Sequence, residues 1–308
     1  MKIFLAGHKG LVGSAILRKL KKKSFYKVIT VDKKKLNLLK QQSVFNFIKK
    51  KKPDIVIIAA AKVGGVFHNN IHGADFIYEN LQIQNNLIHG SFKNNVKKII
   101  FLGSSCIYPK NSKQPISEKY LLTGKLEETN EPYALAKIAG VKMCEAYNKQ
   151  YKTNYLCLMP TNTYGPNDNY HHLNSHFFPA LIKKAHICKI KNKKIFTVWG
   201  SGKPLRELIF VDDVADACIY FMNKNTKKFL INIGTGKDMR IKDYVNFIIK
   251  KLNLKVKIKY DNKKPNGVYR KVLDVRLAKK YGWKAKTTLE KGFDLTYKDF
   301  KINYKRYK

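Results

Sequence analysis

Acid is what this chain is short of. Its 308 residues hold 21 Asp+Glu against 62 Lys+Arg, a formal net charge of +41 at pH 7. That balance points first to an anionic partner, a nucleic acid or a membrane surface. Arginine is scarce too: only Arg18, Arg206, Arg240, Arg270, Arg276 and Arg306 are present. Arginine is the residue favoured for bidentate reading of phosphates and bases. The lysines fall in short runs along the whole chain, at 21–23, 33–35, 49–52 and 263–264, with no basic tail or single basic helix. Such dispersal reads as a solvated surface and leaves a nucleic-acid-binding protein as a remote alternative. No run of about 18 apolar residues occurs, so no spanning helix and no membrane partner is expected. Met1 to Gly7 reaches its glycine too soon for a signal peptide. Cys106, Cys144, Cys157, Cys188 and Cys218 form no CxxC pair and no metal-ligand spacing. That pattern reads as reduced thiols in the cytoplasm, with no metal. Against all this, 44% hydrophobic and 12% aromatic content excludes a disordered chain.

What is there, in the first half, is alternation. Apolar runs at 2–6, 27–31, 54–59, 98–102 and 155–159 read as strands. Helical patterns fall near 12–23, 43–50, 75–93 and 133–151. Continuous apolar strands separated by helices predict an α/β fold, a Rossmann-type doubly wound parallel sheet. Its ligands bind at the carboxyl ends of the strands. Past residue 165 the pattern loosens. A short apolar run at 209–211 leads into a helix from Asp212, and a strand follows at 230–233. We expect a dinucleotide-binding domain over 1–165 with a return segment at about 208–235. A smaller substrate-binding lobe is expected over 166–207 and 236–308, packed on the first without a linker.

Gly7, Gly10 and Gly13 form a GxxGxxG directly after the first strand. Glycines there permit a tight turn and a close approach of backbone N–H groups to a pyrophosphate, aided by the helix dipole. At the end of the second strand stand Asp32 and then Lys33, Lys34 and Lys35. An acid would take a ribose hydroxyl of NAD, and a base the 2′-phosphate of NADP. Both are on offer, Lys9 in the glycine loop adds another cation, and the basic count favours NADP. Tyr133 and Lys137 share a helix face at i, i+4. A nearby ammonium lowers a phenol from its usual pKa of about 10 toward working pH, making it a proton donor or acceptor. Upstream, Gly103-Ser104-Ser105-Cys106 puts hydroxyls and a thiol at the end of the fourth strand. His171, His172 and His176 cluster without the acidic or thiol set that a metal would need.

These motifs together resemble the extended short-chain dehydrogenase/reductase family of nucleotide-sugar enzymes. The segments 7–14, 59–65, 102–110, 130–140, 159–166 and 199–207 carry the likeness most closely, and it runs from residue 1 to about 300. They match family members that epimerise C3 and C5 of GDP-4-keto-6-deoxy-D-mannose and reduce its C4 ketone with NADPH. The resemblance implies that Cys106 is the base and His176 the acid of the epimerisation. A thiol titrates at about 8.5, near enough to neutrality to exchange protons. Tyr133 would donate to the C4 oxygen, Ser104 would hold it, and Lys137 would bind the nicotinamide ribose and tune Tyr133. NADP(H) would contact Gly7, Lys9, Gly10, Leu11, Val12, Gly13, Leu102, Gly103, Ser104, Ser105, Lys137, Pro160, Thr161, Asn162, Thr163 and His176. The GDP-sugar would contact Lys184, Trp199, Arg206 and Asn266. Asn266 stands where the family usually has Asp, which leaves the nucleotide preference open. For Trp199 the competing reading is ordinary core packing. His171 and His172 read as loop residues. The family also implies a homodimer built on helices of the dinucleotide domain, including the one that bears Tyr133.

Overall fold

Strand β3 (Ile55–Ile58) is wholly apolar, and β1 (Lys2–Ala6) and β4 (Lys98–Leu102) are apolar after a leading lysine, because helices cover both sheet faces. The computed structural model describes residues 1–171, 174–263 and 267–304, with 66 and 67 as backbone only. In the first half β1 leads to α1 (Leu11–Lys21), β2 (Lys27–Ile29) and α2 (Gln41–Lys51). After β3 come α3 (Val66–Ile71) and α4 (Gly73–Lys93), and after β4 come α5 (Glu131–Tyr151), β5 (Asn154–Pro160) and β6 (Asn162–Tyr164). The second half runs α6 (Phe177–Ile190), β7 (Ile195–Trp199), β8 (Leu205–Phe210), α7 (Val211–Met222) and β9 (Leu230–Ile233). It closes with β10 (Asp238–Arg240), α8 (Ile241–Lys251), β11 (Lys257–Asp261), β12 (Arg270–Lys271), α9 (Arg276–Lys280) and α10 (Leu289–Ile302).

The main sheet has six parallel strands in the order β2-β1-β3-β4-β5-β9. This is the doubly wound arrangement expected from the alternation. One core, with Ile3, Ile16, Ile100, Ile231 and Trp283, lies under α1, α7 and α9. The other, with Phe4, Ile48, Leu87, Phe101 and Val141, lies under α2, α4 and α5. β2 is shorter than its apolar run, because its ladder with β1 ends at Phe4↔Ile29. A third core gathers Phe178, Phe196, Tyr244 and Phe293 among α6, α8, α10, β7 and β8. There β8 pairs β10 on one side and β12 on the other, and its far end pairs β6.

One buried side chain joins the sheet to the segment that follows β4. Asn232, fully buried on β9, accepts from the Tyr108 hydroxyl at 2.6 Å. Its own Nδ2 donates to the carbonyls of Ile116 (2.9 Å) and Asp274 (3.3 Å), and its N–H donates to Glu118 at 2.9 Å. Removing that amide strands several buried groups, each costing about 1–3 kcal/mol. Asn232→Ala is therefore expected to lose about 3 kcal/mol of stability. Urea unfolding measures it, and a midpoint indistinguishable from wild type contradicts the account.

Candidate active site

The glycine loop divides its labour. Gly7 has φ +89°, and a Cβ there would lie 2.5 Å from the Ala60 nitrogen. A Cβ on Gly13 would lie 2.0 Å from the Gly7 carbonyl oxygen. Those two glycines let backbone cross backbone. Gly10 is different: its Cβ would meet nothing nearer than the Gly7 oxygen at 3.6 Å, so its exposed side stays open. Gly10 also caps α1 without a side-chain hydrogen bond, and α1 carries no acid in its first turn. The N–H groups of Leu11, Val12 and Gly13, with the positive end of the helix dipole, are thus left for an anion. A dinucleotide pyrophosphate fits this cradle. Beside it Asp32 pairs with Lys9 at 2.8 Å and with His8 at 3.3 Å. The Lys9 ammonium holds the Asp32 carboxyl below its ordinary range. The acid and the base on offer for the ribose are therefore neighbours.

Two further segments expected to contact a cofactor lie at the same sheet edge. Gly103 follows β4, where a Cβ would collide with the Met159 side chain. Pro160 ends β5, and Thr161, Asn162 and Thr163 come next. Their side chains are engaged internally: Asn162 donates to the Glu207 carbonyl at 2.9 Å, and Thr163 to the Thr161 carbonyl at 3.1 Å.

The residues expected to act on a carbonyl begin where β4 ends. Ser104 caps a 3-10 turn over Ser105–Ile107, its hydroxyl accepting from the Cys106 N–H at 3.3 Å. Ser105 and Cys106 are buried. Tyr133 lies in the first turn of α5, and Lys137 one turn on, with Nζ 5.9 Å from the Tyr133 ring centre. Lys137 is buried, donates to the Leu102 carbonyl at 2.9 Å, and lies 4.8 Å over the Phe101 ring. Loss of hydration pushes its ammonium down to about 8. Burial pushes the Tyr133 phenol up instead, and the neighbouring Cys106 adds to the rise. The lowering expected of Tyr133 is thus not what the site produces: loss of hydration, with Cys106, sets the direction. The same burial favours the neutral phenol at Tyr133.

His176 is the N-cap residue of α6, with extended backbone. Desolvation, then the charge of Lys271, holds its imidazole below the usual range. Lys271 had no signal of its own among so many lysines. On β12 it is the Cα partner of Arg206 on β8, and its neighbour Arg270 turns away to Asp238. Burial lowers the Lys271 ammonium, while Cys106, Arg206 and Glu127 also act on it. One cation therefore couples to both Cys106 and His176. Lys184 donates to the Thr197 carbonyl at 3.3 Å and lies 4.9 Å over the Trp199 ring. Trp199 is 48% exposed, so it is no core residue. Asn266 and His172 lie outside the described residues. His171 is exposed in a loop. Among the described residues no three His, Cys, Asp or Glu side chains gather as a metal site, and no helix is long and apolar enough to cross a membrane.

The chain has clear relatives of known family. The model of the NAD dependent epimerase/dehydratase family matches residues 3–234. The GDP-L-fucose synthase of Escherichia coli (strain K12) is 46% identical, across 100% of this chain and 98% of that protein. Among solved structures, a GDP-mannoheptose C4 reductase from Campylobacter jejuni with NADP bound superposes with a TM-score of 0.89. It is 38% identical, covering 97% of this chain and 98% of that one. A GDP-L-fucose synthetase from Naegleria fowleri bound to NADP has a TM-score of 0.90 at 27% identity, covering 100% and 95%.

The loop that carries His176 holds a titration of its own. Asp168 is buried, accepts from the Asn169 N–H at 2.7 Å, and leaves Oδ2 without a partner. Burial pushes its carboxyl up to about 7, against about 3.9 for an unfolded aspartate. The folded state then binds more protons between those values, so stability falls as pH rises through that window and levels off above it. Asp168→Asn removes the term. The stability difference between variant and wild type should shift toward the variant from pH 5 to pH 7, by at most about 1.4 kcal/mol per pH unit. Denaturant unfolding across that range reads the slope, and parallel curves would refute it.

Proposed function

The chain belongs to the NAD dependent epimerase/dehydratase family, and from that premise we propose that it converts GDP-4-keto-6-deoxy-D-mannose to GDP-L-fucose, inverting C3 and C5 and reducing the C4 ketone with NADPH. One observation carries the choice within the family. Tyr133, Ser104 and Lys137 already equip the cleft for carbonyl chemistry, and Cys106 with His176 adds an acid–base pair that a plain reductase does not need.

The protons beside the C4 carbonyl are acidified by that carbonyl. Cys106 takes each from one face, and charge develops on the C4 oxygen. Tyr133, a neutral phenol, donates to that oxygen and Ser104 holds it, so the enolate forms against positioned donors. His176 returns a proton to the opposite face, which inverts the centre. Lys271, acting on both Cys106 and His176, supplies positive potential where negative charge moves. NADPH, when bound, supplies hydride for the C4 carbon. Tyr133 then delivers its proton to the C4 oxygen, and Lys137 binds the nicotinamide ribose. Gly7, Gly10 and Gly13 with the start of α1 hold the pyrophosphate, and Lys9 takes the 2′-phosphate. Lys184 and Arg206 pair with the GDP diphosphate, and Trp199 covers the ligand.

The functional division follows the sheets. The six-stranded sheet and its helices, with the return through α7 and β9, serve the cofactor, and 166–207 with 236–308 serve the sugar nucleotide. A homodimer across α4 and α5 belongs to the same reading, supported by Tyr78, Leu135 and Tyr151, which are large, apolar and exposed on those helices. So does a cytoplasmic setting, supported by five cysteines that are all free.

A second reading is favoured by the likeness to the Campylobacter jejuni reductase: another GDP-4-keto sugar reduced at C4. Incubation with GDP-4-keto-6-deoxy-D-mannose and NADPH separates the two. The expected result is loss of reduced-nicotinamide absorbance and GDP-L-fucose by NMR. A product reduced at C4 but uninverted at C3 and C5 favours the second reading. Cys106→Ser should cut solvent-deuterium incorporation at C3 and C5 by about 10²-fold or more while NADPH binding survives. Tyr133→Phe should mainly lose reduction. Unchanged incorporation in the first, or intact hydride transfer in the second, removes that residue from its role.

A further inference from the structure

In the segment 59–65, Ala-Ala-Ala-Lys-Val-Gly-Gly, Ala59 and Ala60 back the glycine loop, and the part from Lys62 on is assigned neither to the cofactor cradle nor to the carbonyl site. It leaves β3 at the ligand edge and is pinned hard to α4. The Lys62 ammonium bonds Glu79 at 2.6 Å and Asp75 at 3.1 Å, and its N–H donates to the buried Asn80 side chain at 3.0 Å. At the far end of the segment, buried Asn69 reaches back and donates to the carbonyls of Gly64 (2.8 Å) and Gly65 (3.0 Å). The backbone of this segment is therefore a fixed object.

Gly65 uses that fixity. Its N–H donates to the Asn174 carbonyl at 2.9 Å, two residues before His176. A Cβ on Gly65 would lie 2.9 Å from the Ser175 carbonyl oxygen and 3.2 Å from the Asn174 carbonyl carbon. Yet Gly65 has φ −70° and ψ 173°, a conformation open to any residue. Glycine is required here by space alone. The Asn174 carbonyl takes a second donor, Asn169 Nδ2 at 3.2 Å, and Ser175 N–H closes onto the His171 carbonyl at 3.1 Å. Just beyond, His176 begins α6, its carbonyl accepting from Ala180 at 3.1 Å. The imidazole is thus set between a helix start and a clasp to the opposite loop.

We infer that Gly65 is a positioning residue for His176: the clasp of its N–H to Asn174, possible only without a Cβ, places the imidazole for proton return. This rests on His176 being the acid of the epimerisation. Cys106, Tyr133 and Lys137 take no part in the clasp, which makes a separable prediction. Gly65→Ala must push the 174–175 backbone away. Proton removal continues, and the enolate is reprotonated on the face it came from. The C3 and C5 positions then exchange with solvent while inversion fails.

The experiment follows GDP-4-keto-6-deoxy-D-mannose by NMR in D₂O without NADPH, scoring deuterium incorporation and inversion separately. In Gly65→Ala inversion should fall at least about tenfold, since misplacement by a fraction of an ångström to 1 Å costs up to about 10²-fold. Incorporation and NADPH binding should stay within about twofold of wild type. Gly65→Ala combined with His176→Gln should invert no more slowly than His176→Gln alone, because both remove one step. Asn169→Ala, exposed and harmless to the core, should show a smaller loss of inversion in the same sense. It serves as the test if Gly65→Ala does not fold. Equal loss of incorporation and inversion, or multiplicative losses in the double variant, overturns the inference while the acid assignment stands. Normal inversion in His176→Gln overturns the acid assignment, and the inference with it.

Discussion

The second half of this molecule hangs on one buried carboxylate. Glu207 is fully buried on β8. Taking a carboxylate out of water costs several kcal/mol unless donors replace the water. They do: Gly236 N–H at 2.7 Å and Thr235 hydroxyl at 3.3 Å on one oxygen, Leu273 N–H at 2.8 Å on the other. Burial still raises the carboxyl, and those bonds pull it back. Its main-chain carbonyl meanwhile accepts from Asn162 at 2.9 Å. One residue therefore joins the exit of β9, the segment after β12 and the start of β6. Gly234 follows from it, for a Cβ there would meet the Glu207 carboxylate oxygen at 2.3 Å. Arg206, next to Glu207 in the chain, is the cross-strand partner of Lys271.

That dependence explains what the sequence made legible and what it hid. Strands β1, β3, β4 and β5 announce themselves because both their faces are covered, and a continuous apolar run has no other use. The glycine loop and the Tyr133–Lys137 pair are legible because each is local: its chemistry fits within a few residues of one turn or one helix face. β12 is two residues long and exists only because β8 lies beside it. No periodicity reveals such a strand, and Lys271 is one cation among many on a basic chain. Gly65 is hidden for a related reason. Its own backbone angles ask nothing of glycine, and the carbonyl that fills its side comes from residues about 110 positions away. The rise of the Tyr133 phenol was equally out of reach, since spacing gives the ammonium but not the loss of water around it.

The charge changes meaning once the acids are placed. Many of the scarce carboxylates are spent on structure: Asp212 on Arg18, Asp216 on Lys19, Asp75 and Glu79 on Lys62, Asp294 on Lys251, Asp238 on Arg270, Asp274 on Arg276. Exposed pairs of this kind contribute little each. Their effect is subtractive, because they leave the cleft with cations in excess. Lys137, Lys184, Arg206 and Lys271 are all lowered chiefly by burial. A cation in that condition is destabilised in proportion to the water it has lost. An anion arriving beside it restores the missing partner in a medium where the attraction is strong. The surface lysines add a long-range field that draws anions in and weakens with salt. These few cations, one buried and three partly buried, differ from the surface lysines in the water they have lost. The opening imbalance of charge thus resolves into two populations, separated by hydration rather than by residue type.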